Sequence, residues 1–174
     1  LFRAGTVSVS GTLIGTDKII HFINLGRLYH AAYLERVKLG VPEAQAMTEA
    51  VASVNANPLL SEEGMLGYVT TGIRSNADLA ANFAGLEFYR NLTETVRIGP
   101  RQLPPMLVRN GKVWRVAVPP GADFFTPFVT PHWNEVLNPN RYLDYFADRM
   151  RTVIGERCPA VFEAYRGAHG QALG

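Results

Sequence analysis

The sequence predicts a single α+β domain, mostly helical with a small β-hairpin or sheet. Three observations point there. Apolar residues recur at helical spacing over three stretches of the first hundred residues, an Asn-Gly pair sits between β-branched runs, and 174 residues suffice for one well-packed core spanning 1–174.

The first helix is expected from Asp17 to about Lys38, where Ile19, Ile20, Phe22, Ile23, Leu28, Tyr29, Ala32, Tyr33 and Val37 follow the helical repeat. Thr16 is its expected N-cap, and Gly40 lies just past its end. A second helix is expected from Pro42, a residue type tolerated in a first turn, to Val54, before Asn55-Ala56-Asn57-Pro58 stops it. The third opens on Ser75 and Asp78, the spacing of a capping box with Asp in place of Glu or Gln. It then runs through Leu79, Phe83, Leu86 and Leu92 to about Thr95. Between the second and third helices, Glu62 to Arg74 is rich in glycine and β-branched residues and reads as a carboxylate-bearing turn followed by a short strand. Asn110-Gly111, flanked by Leu107-Val108 and Val113-Trp114-Arg115-Val116, predicts a hairpin. Pro119 to Asn140 reads as a long ordered loop rich in Pro, Gly and aromatics. Helical spacing returns from Arg141 to Arg157, a last helical piece follows Pro159, and the tail beyond Gly167 reads as a frayed end.

Composition narrows the function. Hydrophobic residues at 47% and charged residues at 18% exclude a disordered chain, and no apolar run reaches the ~20 residues of a transmembrane helix. The net charge of +2 and scattered basic residues give no footprint for nucleic acid. A single cysteine, Cys158, excludes an internal disulfide and a cysteine-based zinc site. The four histidines show no metal-ligand spacing, and neither a nucleophile elbow nor a phosphate-binding glycine loop is present, so no metal and no cofactor are expected. The chain starts at Leu1 rather than Met, a start compatible both with a removed signal peptide and with none.

The residue types that remain suit glycan cleavage. Protonating a leaving oxygen takes a carboxyl whose pKa is raised by burial, and Glu62 and Glu63, at a helix-to-strand junction beside Gly64, are placed for it. Tyr68, Thr70 and Thr71 follow with hydroxyls able to orient a water or a sugar. The alternative is that both glutamates are solvated loop residues and both threonines plain strand residues. Asp78 and Asn82 stand near the start of the third helix, where they can bind sugar hydroxyls or simply cap and face water. His21 lies one turn from Asp17, the spacing of a pair along one helix face. In the long loop, Phe124, Phe128, Trp133, Asn134 and Glu135 mix aromatic faces with polar groups. Two of the three aromatics are expected in the core, with Trp133 exposed to stack on sugar and Glu135 in reserve as a second carboxylate.

Glu63-Gly64 followed by Gly67-Tyr68-Val69-Thr70-Thr71-Gly72-Ile73 resembles the catalytic Glu, β-hairpin and Thr-X-Gly-Ile element of phage-type lysozymes. A broader similarity is to secreted bacterial lysozyme-like proteins, including a muramidase group of predatory bacteria. The resemblance implies a lysozyme-like fold and a muramidase that cleaves the glycosidic bonds of peptidoglycan without a cofactor. It assigns Glu63 or Glu62 as the acid and Thr70 or Thr71 as the partner that places a water. The Glu-to-Thr spacing is shorter than that family's and lacks its intervening Asp, so no second catalytic carboxylate carries over. On this reading the protein is a secreted or periplasmic monomer whose partner is the peptidoglycan glycan chain. The competing expectation is a non-catalytic glycan- or protein-binding module that uses the aromatic loop 124–135.

Overall fold

The computed structural model describes residues 5–117, 121, 124–138 and 140–169. Among the described residues, helices and four separate two-stranded antiparallel sheets form an α+β architecture. Strands β1 (Thr6–Val9) and β2 (Thr12–Gly15) pair through a turn in which Ser10 and Gly11 both have positive φ, the two-residue geometry that matches strand twist. A continuous helical rod follows: α1 (Asp17–Ile20), a π-turn (His21–Leu25) and α2 (Gly26–Lys38). Thr16 makes no capping bond from its side chain, contrary to the expectation. Helix α3 (Glu43–Asn55) begins one residue later than expected, with Pro42 as its N-cap rather than in its first turn. Helix α5 (Asn76–Asn91) is capped by Ser75, whose Oγ accepts from the Asp78 amide at 3.1 Å.

The stretch expected to be a strand after Glu62 is divided. Tyr68–Thr71 forms one helical turn, α4, and only Ile73–Arg74 extends as β3. The threonine hydroxyls explain the difference, because both donate back to the Gly67 carbonyl and favour a helical turn over a strand. Gly72 ends that turn at φ 73°, where a β-carbon would also lie 2.5 Å from the Phe146 ring.

Strands β4 (Val96–Ile98) and β5 (Arg101–Leu103) form a hairpin the sequence reading did not anticipate. Strands β6 (Leu107–Asn110) and β7 (Val113–Val116) form the expected Asn-Gly hairpin. Within the long loop two short 3₁₀ turns occur, Thr126–Phe128 and Pro131–Trp133. Strand β8 (Arg141–Tyr142) pairs with β3, so the last helix, α6 (Asp144–His169), starts later than expected and runs unbroken through Pro159. Most of the tail expected to fray lies outside the described residues. No helix among the described residues is long and apolar enough to cross a membrane.

The helical rod and α5 meet backbone to backbone. A β-carbon on Gly26 would lie 2.5 Å from Gly85 Cα, and one on Gly85 would lie 2.0 Å from the Phe22 carbonyl oxygen, so only glycine permits this approach. One core lies beside the crossing, with Ile14, Phe22, Ala81, Val96, Phe128 and Trp133. A second joins Tyr29, Tyr33, Ala46, Ala50 and Leu86 between α2, α3 and α5. The same close approach sets Lys18 against Asp78 and His21 against Asn82, one helical turn apart on each helix.

Candidate active site

Glu62 is the residue around which the site is built. Its turn is held by the Met65 amide donating to the Pro58 carbonyl and the Tyr68 amide donating to the Glu62 carbonyl, each at 2.8 Å. Gly67 packs directly on it: a β-carbon there would lie 2.7 Å from Glu62 Oε2. The residue is only 3% exposed. Its Oε2 accepts from the Ser75 amide at 3.3 Å, whereas the buried Oε1 has no hydrogen-bond partner among the described residues. A capping box normally fills that role with the third helical residue, here Asp78. In this fold Glu62 takes the Ser75 amide from outside the helix, and the Asp78 carboxylate turns to Lys18 and His21.

The electrostatics follow from this packing. The Glu62 carboxyl is raised from 4.5 to about 7, first because burial penalises the anion and next because the Asp78 charge repels it. The Ser75 amide, Lys18 and Arg74 oppose the rise and only in part. Burial likewise raises Asp78, against the pull of His21 and Lys18. Lys18 is fully buried, and its ammonium lies 2.5 Å from Asp78 Oδ1, 2.7 Å from Glu135 Oε1 and 2.8 Å from Asp17 Oδ2. Burial alone would lower the lysine, but the carboxylates of Asp78, Glu135 and Asp17 hold it protonated, with a pKa above its ordinary value. His21 sits between the two acids, with Nδ1 at 3.0 Å from Asn82 Oδ1 and 3.8 Å from Glu62 Oε1, and Nε2 at 3.5 Å from Asp78 Oδ2. It belongs to the π-turn, a helix defect that is frequent at functional sites.

Among the described residues, two sets of side chains are close enough to share a cation. In Asp17, Asp78 and Glu135 the Lys18 ammonium already occupies the centre. In His21, Glu62 and Asp78 one imidazole nitrogen and one oxygen of each carboxylate lie within 4.8 Å of one another, so this set could hold a cation.

Several expectations change on this geometry. Glu63 points outward, 59% exposed at its side chain, and pairs with Arg74 Nε at 2.6 Å, so it is not the buried carboxyl a general acid needs. Thr70 and Thr71 are exposed and spend their hydroxyls on the turn: Thr70 donates to the Met65 carbonyl at 2.6 Å and Thr71 to that of Gly67 at 2.8 Å. Tyr68 is half-buried, its ring 5.9 Å from the Arg141 guanidinium carbon. Trp133, expected to be exposed, is entirely buried 5.2 Å from the Phe22 ring, and Phe124 is the exposed aromatic at 41%. Asn134 is buried and accepts from the Val136 amide at 2.8 Å, closing a turn of its own loop. His21 does not pair with Asp17, because Asp17 turns to Lys18.

The structure does unite Glu62, Asp78, Asn82, His21 and Glu135. It adds two residues the sequence reading missed, Lys18 and, behind Asn82, Tyr29, whose hydroxyl donates to Asn55 Oδ1 at 2.6 Å. The available signal was a lysine one turn before a histidine on a helix otherwise read as buried. Two grooves lie near the site, neither of them lined by Glu62. One, of about 310 Å³, begins at Glu135 and continues along Tyr142, Met150 and Ile154. The other, of about 670 Å³, begins at Asn76 and follows α5 past Phe83 to Arg97 and His132.

No protein-family model, curated protein or solved structure matches this chain.

Proposed function

We propose that this protein is a peptidoglycan hydrolase, a muramidase of lysozyme-like architecture acting outside the cytoplasm, with Glu62 as its general acid. The observation that carries the reading is the Glu62 carboxyl. It is buried, shifted to about 7 and has one oxygen with no hydrogen-bond partner among the described residues, so near neutral pH it still carries a proton to donate. Once substrate binding uncovers the buried Oε1, a glycosidic oxygen placed there accepts that proton as the C–O bond breaks, the bond's electron pair leaves with the oxygen, and water adds to the anomeric carbon and returns a proton to Glu62. Burial and the like charge of Asp78 raise the acid, while His21 and Lys18 oppose the rise that burial imposes on Asp78 itself. Grooves lined by Asn76 and by Glu135 lie near the site and offer room for parts of a linear polymer, and a net charge of +2 suits an anionic wall. A binding module built on loop 124–135 has less support, because Phe128 and Trp133 are committed to the core and recognition alone has no use for a protonated buried acid.

The test compares Glu62→Gln with Glu63→Gln in turbidity clearing of purified cell walls. Glu62→Gln should lose roughly 10²–10⁴-fold of the rate, the usual contribution of a general acid. Glu63→Gln should stay within a few-fold of the parent. A Glu62→Gln protein that clears walls normally refutes the assignment.

A further inference from the structure

The β6–β7 hairpin has a chemistry that Glu62 does not use. Its root is fixed to the end of α5: the Met106 amide donates to the Asn91 carbonyl at 2.9 Å and the Leu107 amide to that of Leu92 at 2.7 Å. Beyond the root every residue from Val108 to Ala117 is exposed. Register fixes the two faces, since directly opposed residues share a face. Leu107 and Val116, with Arg109 and Trp114, lie on one; Val108 and Arg115, with Asn110 and Val113, lie on the other. Large apolar groups are therefore exposed on both, Trp114 at 53% and Val116 at 57% on the first, Val113 at 60% and Val108 at 40% on the second. Each face also carries an exposed arginine, and Lys112 stands at the turn. Between Glu94 and Asp123 the sequence has five basic residues, Arg97, Arg101, Arg109, Lys112 and Arg115, and no acidic one, while the remainder of the chain holds more acidic than basic residues.

We propose that this hairpin docks the protein onto an anionic phospholipid surface. A folded protein partner covers one face of a two-stranded ribbon, whereas the interfacial layer of a bilayer surrounds both, which is what valines exposed on both faces require. Tryptophan with arginine and lysine is the residue set of that layer: the indole sits among the headgroups and the cations meet lipid phosphates. A nucleic-acid backbone satisfies the cations but leaves the valines in water.

The hairpin is tested on the intact protein with vesicles of phosphatidylcholine alone and vesicles containing phosphatidylglycerol, by sedimentation and intrinsic fluorescence. Trp133 is fully buried, so a change in emission reports Trp114. The expected result is binding to the phosphatidylglycerol vesicles with a blue shift of emission, weakened as salt rises to about 0.15 M and the Debye length falls to about 8 Å. Lys112→Gln with Arg115→Gln should reduce that affinity about 30-fold, the loss expected for two cations near an anionic surface. Trp114→Phe should bind vesicles while abolishing the blue shift. Equal binding to both vesicle types overturns the proposal. So does binding without a blue shift in the parent, the behaviour of a site for soluble polyanions, and so does a concentration-dependent dimer that buries Trp114 without lipid. Wall clearing by the hairpin variants is independent of these outcomes, so failure here leaves Glu62 unaffected.

Discussion

Replacing Glu62 with Gln should make the protein more stable, and only above a certain pH. The folded carboxyl holds its proton up to about pH 7, whereas the unfolded chain releases it near the ordinary value of 4.5. A pKa raised by folding stabilises the folded state below the lower value, and that contribution drains away as pH climbs through the upper one. The gap, at ~1.36 kcal/mol per pH unit, amounts to about 3 kcal/mol lost between pH 4.5 and 7. Gln has the shape of the protonated acid and no proton to lose. The difference between the two proteins should therefore be flat below about pH 4.5, grow steadily, and level off above pH 7 with Glu62→Gln ahead by about 3 kcal/mol. For a chain of this size that is roughly 6–12 °C in melting temperature. Guanidinium unfolding of both proteins at intervals from pH 4 to 8.5 measures it. A packing difference between Glu and Gln adds a constant offset, so the diagnostic is the pH dependence alone. A difference that does not change across this range refutes the claim that Glu62 is a protonated buried acid, and with it the catalytic role. The same strain that costs stability at neutral pH is what makes the proton available.

Two further outcomes follow from the same network. Asp78→Asn removes the charge that helps to raise Glu62, so the alkaline limb of the wall-clearing profile should move to lower pH, and an unmoved limb would detach Asp78 from the acid. Lys18→Met leaves the buried Asp78 without its closest cation and should cost about 3–5 kcal/mol in chemical denaturation at neutral pH, and Lys18→Met with Asp78→Asn should recover much of that loss.

The candidate site was legible only in outline. Both glutamates were visible as carboxylates at a bend, yet nothing in Glu62-Glu63 ranks one over the other. The ranking comes from Gly67 closing over Glu62 and from Arg74 drawing Glu63 outward, contacts made by residues five and eleven positions further along the chain. Trp133 failed for a related reason. Three aromatics in one loop compete for limited core volume, and which of them fits depends on Phe22 and Ile14, far away in sequence.

Periodicity by itself determined the helices over 17–38, 43–55 and 76–91 and the Asn-Gly hairpin, because these depend on backbone preference and on one apolar face recurring along a local stretch. Tertiary structure alone decided that Lys18, His21, Glu62, Asp78 and Glu135 meet. Their meeting depends on two glycines, Gly26 and Gly85, letting two helices touch and on β8 pairing with β3. The physical reason is desolvation. A carboxyl acquires a raised pKa only from the groups that exclude water around it, and those are brought together by the folded chain.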